Sequence, residues 1–445
     1  MTAKIDTTEH QARRMTLLSK VQGNSIVIVP SAQEAIRSND TEYHFRQNSD
    51  FFYLTGFTEP DAFLILSNKL GATDENANIA SFMFVRPKDE TAEIWHGRRL
   101  GVAMAPQKLM IDTAYSVNDI ATILPDIIDG HTHLYYSLGE SDYADGVVQE
   151  AVGKCKNAPK QSKIAPSSIV DVNALIHQMR LIKSEQEIAV MKRSADISCR
   201  AHAEAMKLCA PGIYEYQLEA TILHSFAMQG ARHAAYNTIV GGGDNGCILH
   251  YIENQDALKS GDLVLIDAGS EYQGYAADIT RTFPVNGRFT PSQSAIYALV
   301  LKTQLACIKQ LVPGAIIPEV METAVNIITQ GLLDLGILQG DLASCVKREA
   351  HKAFFMHGLG HYLGLDVHDV GNYKENGQNK PLEIGMVMTV EPGIYISDTA
   401  NVPEQFKGIG VRIEDNIVIT AQGNQVLTEQ VPKNIADIEA LMVQA

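Results

Sequence analysis

Two aspartates stand inside an otherwise apolar stretch, LVLIDAGSEYQGYAADITRTF, at residues 263 to 283. Asp267 follows Val264, Leu265 and Ile266, and Asp278 lies between Ala277 and Ile279. A hairpin turning at Tyr272 and Gln273 sets the two acids opposite one another, with Cβ atoms about 5 Å apart on one face of the sheet. Like charges so opposed are destabilising unless something positive lies between them, which makes a bound cation the natural candidate. Glu391 in MTVEPG and Glu414 in GVRIEDNIVIT also stand at or near strand interiors, where carboxylates are found only when paired or bound to metal. Histidines come from HGLGHYLGLDVHD, which carries His357, His361 and His368. Gly358 and Gly360 argue against a regular helix there, and no glutamate follows His357, so the HExxH zinc-protease pattern is absent. Four carboxylates and one imidazole carry too much negative charge for one divalent ion and suit two ions bridged by carboxylates. Between ions about 3.5 to 4 Å apart a bridging water becomes a hydroxide nucleophile at neutral pH, and the chemistry implied is hydrolysis. Spacing does not decide which histidine is the ligand.

The elements that carry these residues form a weak internal repeat. One helix ends at Pro211 and Gly212, a second runs from Glu215 to a stop at Gly230, and strands lead to VLIDAG. Later, a helix capped by Thr290 with Pro291 at its first position ends at Pro313 and Gly314; another runs from Pro318 to an expected stop at Gly331, and strands lead to MTVEPG. Each half supplies one acid after an apolar triplet and a second in a later strand, which points to a duplicated half-domain closing around a shared site. The preceding part reads differently: SIVIVP, DAFLIL, SFMFV and HLYYSL alternate with helical stretches, an α/β pattern. The character changes at SEQE, a capping box from Ser184 that opens a long amphipathic helix. Two domains are therefore expected, residues 1–178 and 179–445.

Bulk composition narrows the function classes. A formal net charge of −16 is unsuited to a nucleic-acid surface. No stretch is long and apolar enough for a signal peptide or a membrane span, and the six cysteines contain no CxxC pair, so reduced thiols in a cytoplasmic protein are expected. Taken singly, each candidate has a plainer reading: a strand acid facing solvent, a hydrogen-bonded core His357, an Arg412 that merely pairs with Glu414 two residues on, a lone Trp95 used in packing. Their joint arrangement argues for the site.

These residues also carry a resemblance. YHFRQNSDFFYLTGF and EIWHGRRLG in the first part, and YNTIVGGGDNGCILHY, LIDAGSEYQGYAADITRTFP, FFMHGLGHYLGLDVHDVG, TVEPGIYI and GIGVRIEDNIVIT in the second, resemble the bacterial aminopeptidase P (Xaa-Pro aminopeptidase) group of the pita-bread metallopeptidase family. That family also contains prolidase, methionine aminopeptidase and creatinase. The resemblance implies an α/β N-terminal domain that shapes the substrate site and supports oligomerisation, and an α+β pita-bread catalytic domain, a curved antiparallel sheet backed by helices with pseudo-twofold symmetry. It implies metal ligands Asp267, Asp278, His361, Glu391 and Glu414, holding two divalent ions, Mn2+ foremost with Co2+ or Zn2+ able to substitute. His250 and His368 resemble histidines that line the substrate site and stabilise the transition state or move protons; His357 resembles one that borders the substrate pocket. The resemblance also implies that Glu391 doubles as general base and acid, and Arg412 resembles an arginine that holds the ligands in place. The expected activity is release of the N-terminal residue from peptides with proline second, in a cytoplasmic homo-oligomer, tetramer or dimer, with no nucleic-acid or membrane partner. Trp95 is then expected at a subunit interface near the substrate opening. The alternatives are prolidase, restricted to Xaa-Pro dipeptides, and a non-catalytic binding protein or a creatinase-like enzyme working without metal; the intact ligand positions argue against the last two.

Overall fold

The computed structural model describes residues 3–69 and 80–443; residues 1–2, 70–79 and 444–445 of the two expected domains lie outside the description. The chain falls into two compact units, Ile5–Met179 and the chain from Arg180 onward, to which Ala3 and Lys4 also belong. In the first, a six-stranded mixed sheet runs in the order Thr113–Ser116, Ala80–Val85, Phe63–Ser67, Ser25–Pro30, His133–Tyr135, Ser168–Val170. The β-branched run SIVIVP forms a central strand, antiparallel to Phe63–Ser67 and parallel to His133–Tyr135. Its residues are buried on both faces, which is why the segment reads as continuously apolar rather than alternating. Ile26, Ile28, Phe63, Ile65 and Phe84 pack against Leu124, Ile128 and Val148. HLYYSL contributes only its first three residues to the sheet.

The second unit opens with the helix Glu185–Leu208, where the Ser184 hydroxyl accepts from the Glu187 amide and the Glu187 carboxylate accepts from the Ser184 amide. Glu215–Met228 follows. In the second half, Thr290 and Gln293 form the same box ahead of Pro291–Gln310, and Ile317–Asp334 comes next. Gly331 does not stop that helix as expected; it lies inside it. A Cβ there would overlap the Leu299 side chain on the neighbouring helix, so the residue serves close helix packing rather than termination.

Both halves build a long hairpin that breaks midway. In the first, Leu263–Asp267 lies between Ile239–Gly242 and Thr280–Pro284, and the hairpin continues as Ser270–Tyr272 and Tyr275–Ala276. The turn is Gln273–Gly274, both with positive φ (51° and 83°), the type I′ geometry of tight hairpins. It falls one residue later than expected, so Asp267 faces Thr280 and Asp278 sits two residues off that pair. A shift of two keeps both acids on one face, because side chains alternate with period 2. In the second half, Val387–Val390 pairs with Asp415–Thr420 and the hairpin continues as Gly393–Ile396 with Ile409–Arg412. Asp267 is the last residue before its break, while Asp278, Glu391 and Glu414 occupy joints between strands, not strand interiors. The halves meet there: the Glu414 amide donates to the Thr280 carbonyl (3.0 Å), and the Arg412 amide to the Thr282 hydroxyl (3.2 Å).

Gly269, in the first break, has no room for a side chain, since a Cβ would overlap the Ala277 carbonyl across the hairpin. Gly269→Ala is expected to cost about 1–3 kcal/mol through forced backbone displacement. The urea midpoint reports the loss; an unchanged midpoint refutes this account of the break.

Candidate metal centre

The breaks free the backbone from the ladder and let four carboxyl groups converge. Asp267, Asp278 and Glu414 are at most 9% exposed, and Glu391 and His361 line the same floor. Ligand atoms of Asp278, His361 and Glu414 lie within 4.8 Å of one another. His361 Nε2 is 3.4 Å from Asp278 Oδ2 and 3.7 Å from Glu391 Oε1. Its other nitrogen, Nδ1, is 2.9 Å from the Tyr362 carbonyl and must donate to it, which leaves the Nε2 lone pair of a neutral ring aimed at the acids. Its backbone amide donates to the Thr389 hydroxyl (3.0 Å). Spacing left His357 and His361 as alternatives, and hydrogen bonding separates them. Arg412 Nη1 donates to the Tyr395 hydroxyl, which donates to His357 Nε2, and His357 Nδ1 donates to the Gly358 carbonyl, each within 2.9 Å. Both ring nitrogens of His357 are thereby engaged. Burial, reinforced by Arg412, pushes this imidazole down to about 4, so it stays neutral.

Arg412 is a guanidinium buried among the acids. Nη2 donates to Asp267 Oδ2 (2.6 Å), and Nε to the Thr280 hydroxyl (3.0 Å), which donates to Glu414 Oε2 (2.7 Å). The Tyr236 hydroxyl lies 2.6 Å from Oδ1 of both Asp267 and Asp278, yet it has one proton to give. The second short contact calls for a further positive charge. Asn416 brackets Asp278, accepting from its amide (3.0 Å) and donating to its carbonyl.

Protonation shows the same deficit of positive charge. Burial, helped by Asp278 and Asp267, raises Glu391 to about 7 against the pull of His361 and Arg412. Burial and the three neighbouring acids lift Glu414 well above the usual carboxyl range, and burial also raises Asp267 despite Arg412. Burial opposes charge on His361 and Asp278 too, but their mutual contact outweighs it: the imidazole rises to about 9 and the carboxyl falls. Without a metal, protons take the places that cations would fill. A donor set of carboxylate oxygens with one imidazole fits hard divalent ions, and no residue in it argues against two.

Above this floor is a cavity of about 670 Å³, also lined by His250, Leu249, Ile252, Val367 and His368. His250 and His368 are exposed, and the His368 ring lies 4.2 Å from that of His361, edge to face. Every site residue named from sequence is thus on this cavity wall. Sequence reasoning missed Tyr236, Thr280, Thr389, Tyr395 and Asn416. Thr280 and Asn416 were within reach, each two residues beyond a named acid, whereas nothing local marks Tyr236.

Residues 189–421 match Metallopeptidase family M24, and residues 10–135 match Aminopeptidase P, N-terminal domain. The Xaa-Pro aminopeptidase of Escherichia coli (strain K12) is 49% identical over 443 residues, covering 100% of this chain and 99% of that protein. That of Haemophilus influenzae is 49% identical over 440 residues, with 99% and 98% covered. Among solved structures, proline aminopeptidase P II from Yersinia pestis is similar at TM-score 0.96 and 51% identity, covering 99% of this chain and 100% of that one. Zinc-substituted Escherichia coli aminopeptidase P in complex with product is similar at TM-score 0.96 and 49% identity, with 99% of each chain covered.

The shifts set a pH dependence. A carboxyl raised on folding, such as Glu391 or Glu414, contributes stability that is complete below its unfolded value and lost as pH rises through the folded one. His361, raised to about 9, acts in the same direction, and the lowered Asp278 changes only in stronger acid. Chelated protein should therefore melt lower at about pH 8.5 than at about pH 5.5, and added Mn2+ should raise the melting temperature more at the higher pH, since ions replace protons. Chelated protein that is equally stable at both values contradicts the charge assignment.

Proposed function

The chain belongs to metallopeptidase family M24 as a Xaa-Pro aminopeptidase with the two-domain aminopeptidase P fold, and from that premise we propose that it releases the N-terminal residue of peptides whose second residue is proline. Asp267, Asp278, His361, Glu391 and Glu414 would hold two divalent ions, Mn2+ first among candidates. The observation that carries this reading is the convergence of four buried or half-buried carboxylates and one imidazole, its Nε2 facing them, beneath a cavity, with the Arg412 guanidinium against them. When bound, such ions acidify a water and polarise the scissile carbonyl.

The protein's own groups do the rest. Glu391, on the cavity floor beside His361, takes the proton of the attacking water and delivers it to the proline nitrogen as that nitrogen leaves. The delivery is required because an amide nitrogen leaves readily only once protonated. His250 and His368, on the cavity wall, donate to the carbonyl oxygen as it gains negative charge. His357, held neutral between Tyr395 and Gly358, shapes the pocket without competing for metal. Arg412 donates to Asp267, opposing the burial that raises its carboxyl, and pins Thr280 and Tyr395.

We assign the first unit to assembly and peptide selectivity. Trp95 is 80% exposed on the helix Glu90–His96 beside Ile94, so it does not pack within the chain, and it suits a contact between copies in a tetramer or dimer. All six cysteines are free, which fits a cytoplasmic location, and among the described residues no helix is long and apolar enough to cross a membrane.

Two tests follow. Chelation should abolish cleavage of an Xaa-Pro-Yaa peptide and Mn2+ restore it; Asp267→Ala and Glu414→Ala should each lower bound metal and reduce kcat/KM by at least about 100-fold. Full metal content with near wild-type turnover in both variants would sink the ligand assignment, and cleavage confined to Xaa-Pro dipeptides would establish prolidase instead. Trp95→Ala should alter peptide kinetics with the melting temperature unchanged. Lost stability with unaltered kinetics per folded molecule would show a packing role.

A further inference from the structure

Among the described residues, the His250 side chain makes no hydrogen bond, although it faces the cavity and carries a role in the reading above. Its direction is therefore decided by the backbone of the segment that bears it, between the strand Ile239–Gly242 and Asp256. That segment is irregular apart from the short turn Gly243–Cys247, so no ladder holds it. Packing of Leu249 and Tyr251 against Ile239, Leu265 and Tyr395 helps to fix it, and a buried carboxylate ties it at both ends. Glu215, the first residue of the helix Glu215–Met228, is 0% exposed and reaches the segment at four points. Oε1 accepts from the Gly242 amide (2.8 Å) and from Asn245 Nδ2 (3.1 Å), while Oε2 accepts from the Tyr251 hydroxyl (2.9 Å) and the Asp256 amide (2.9 Å). The Glu215 amide donates to the Asp256 carbonyl as well (3.0 Å). These contacts take in both ends of the segment, its turn, and the residue next to His250.

A buried carboxylate without a cation is costly unless its lone pairs are filled, and here four donors fill them. Among the described residues no Lys or Arg pairs with Glu215, so the carboxylate is committed to the loop rather than to an ion pair. Asn254 ties the return of the segment, accepting from the Val240 amide (2.9 Å) and donating to the Thr238 carbonyl (2.9 Å), but it touches neither the turn nor the neighbours of His250. We propose that Glu215 is the positioning residue for His250, setting the imidazole over the scissile carbonyl through the loop it organises. This rests on the functional reading given above for His250.

The test is a double-mutant cycle on the metal-loaded full chain. Glu215→Gln keeps shape but turns an amide toward donors, so the loop must move. In the wild-type background kcat/KM should fall by up to about 100-fold, mainly in kcat. In a His250→Ala background the same change should cost less than about 3-fold, because the group being positioned is gone. Bound Mn2+ should match wild type, separating the effect from the metal centre. Tyr251→Phe, which deletes one of the four donors, should show the same pattern at smaller size and serves if Glu215→Gln fails to fold. Equal losses in both backgrounds, or no loss, overturn the inference while leaving the proposed function in place. A wild type that cleaves no Xaa-Pro peptide overturns both.

Discussion

Burying four carboxyl groups within reach of one another is the constraint on which the rest of this molecule depends. Removing even one carboxylate from water is expensive, and mutual repulsion adds to the cost unless cations or protons intervene. The catalytic unit meets this with one guanidinium placed on the acids, Arg412, and with hydroxyl donors from Tyr236 and Thr280. Those groups cannot neutralise four charges. We therefore propose that the fold stores an electrostatic deficit that two divalent ions make good, which couples metal binding to stability and turnover alike.

Beneath the acids lies a platform that keeps them from relaxing apart. Arg281, fully buried, donates to the carbonyls of Thr280 (2.9 Å) and Glu414 (2.5 Å) and pairs with Asp415 (2.7 Å). Asp415 also accepts from Lys433 and the Thr428 hydroxyl. Gln304, on the helix Pro291–Gln310, donates to the carbonyls of Val390 and Ile413 and to Asp415, so one side chain touches the residues preceding Glu391 and Glu414. The breaks in the two hairpins thus become rigid joints. Each half brings two acids, and the hydrogen bonds from Arg412 and Glu414 to Thr282 and Thr280 close one half on the other. Losing Asp415 would leave Arg281 as an uncompensated buried charge, a loss of about 3–5 kcal/mol in stability.

How much of this was legible depended on the range of the physics involved. Local signals read well: the Ser184 and Thr290 boxes, Pro291 at a helix start, and apolar runs interrupted by acids. The fold class and the family followed from motifs spread over the whole chain. Gly331 misled because glycine marks helix ends and close packing with the same letter, and only the distant Leu299 distinguishes them. The hairpin register was misplaced because either of two adjacent residue pairs could turn; Gly274 takes the positive φ, and Gln273 joins it. Tyr236 and Glu215 were invisible for a different reason. Their importance lies in what they touch across tens of residues, and nothing in their immediate neighbours records it.

Anomalous diffraction from crystals grown with Mn2+, recorded near the manganese absorption edge, addresses the charge-deficit account most directly. It predicts two peaks on the cavity floor, jointly in contact with Asp267, Asp278, His361, Glu391 and Glu414, with His357 and Arg412 outside contact distance. No peak among these side chains, or a single peak that leaves Asp267 or Glu391 without a metal contact, would contradict it.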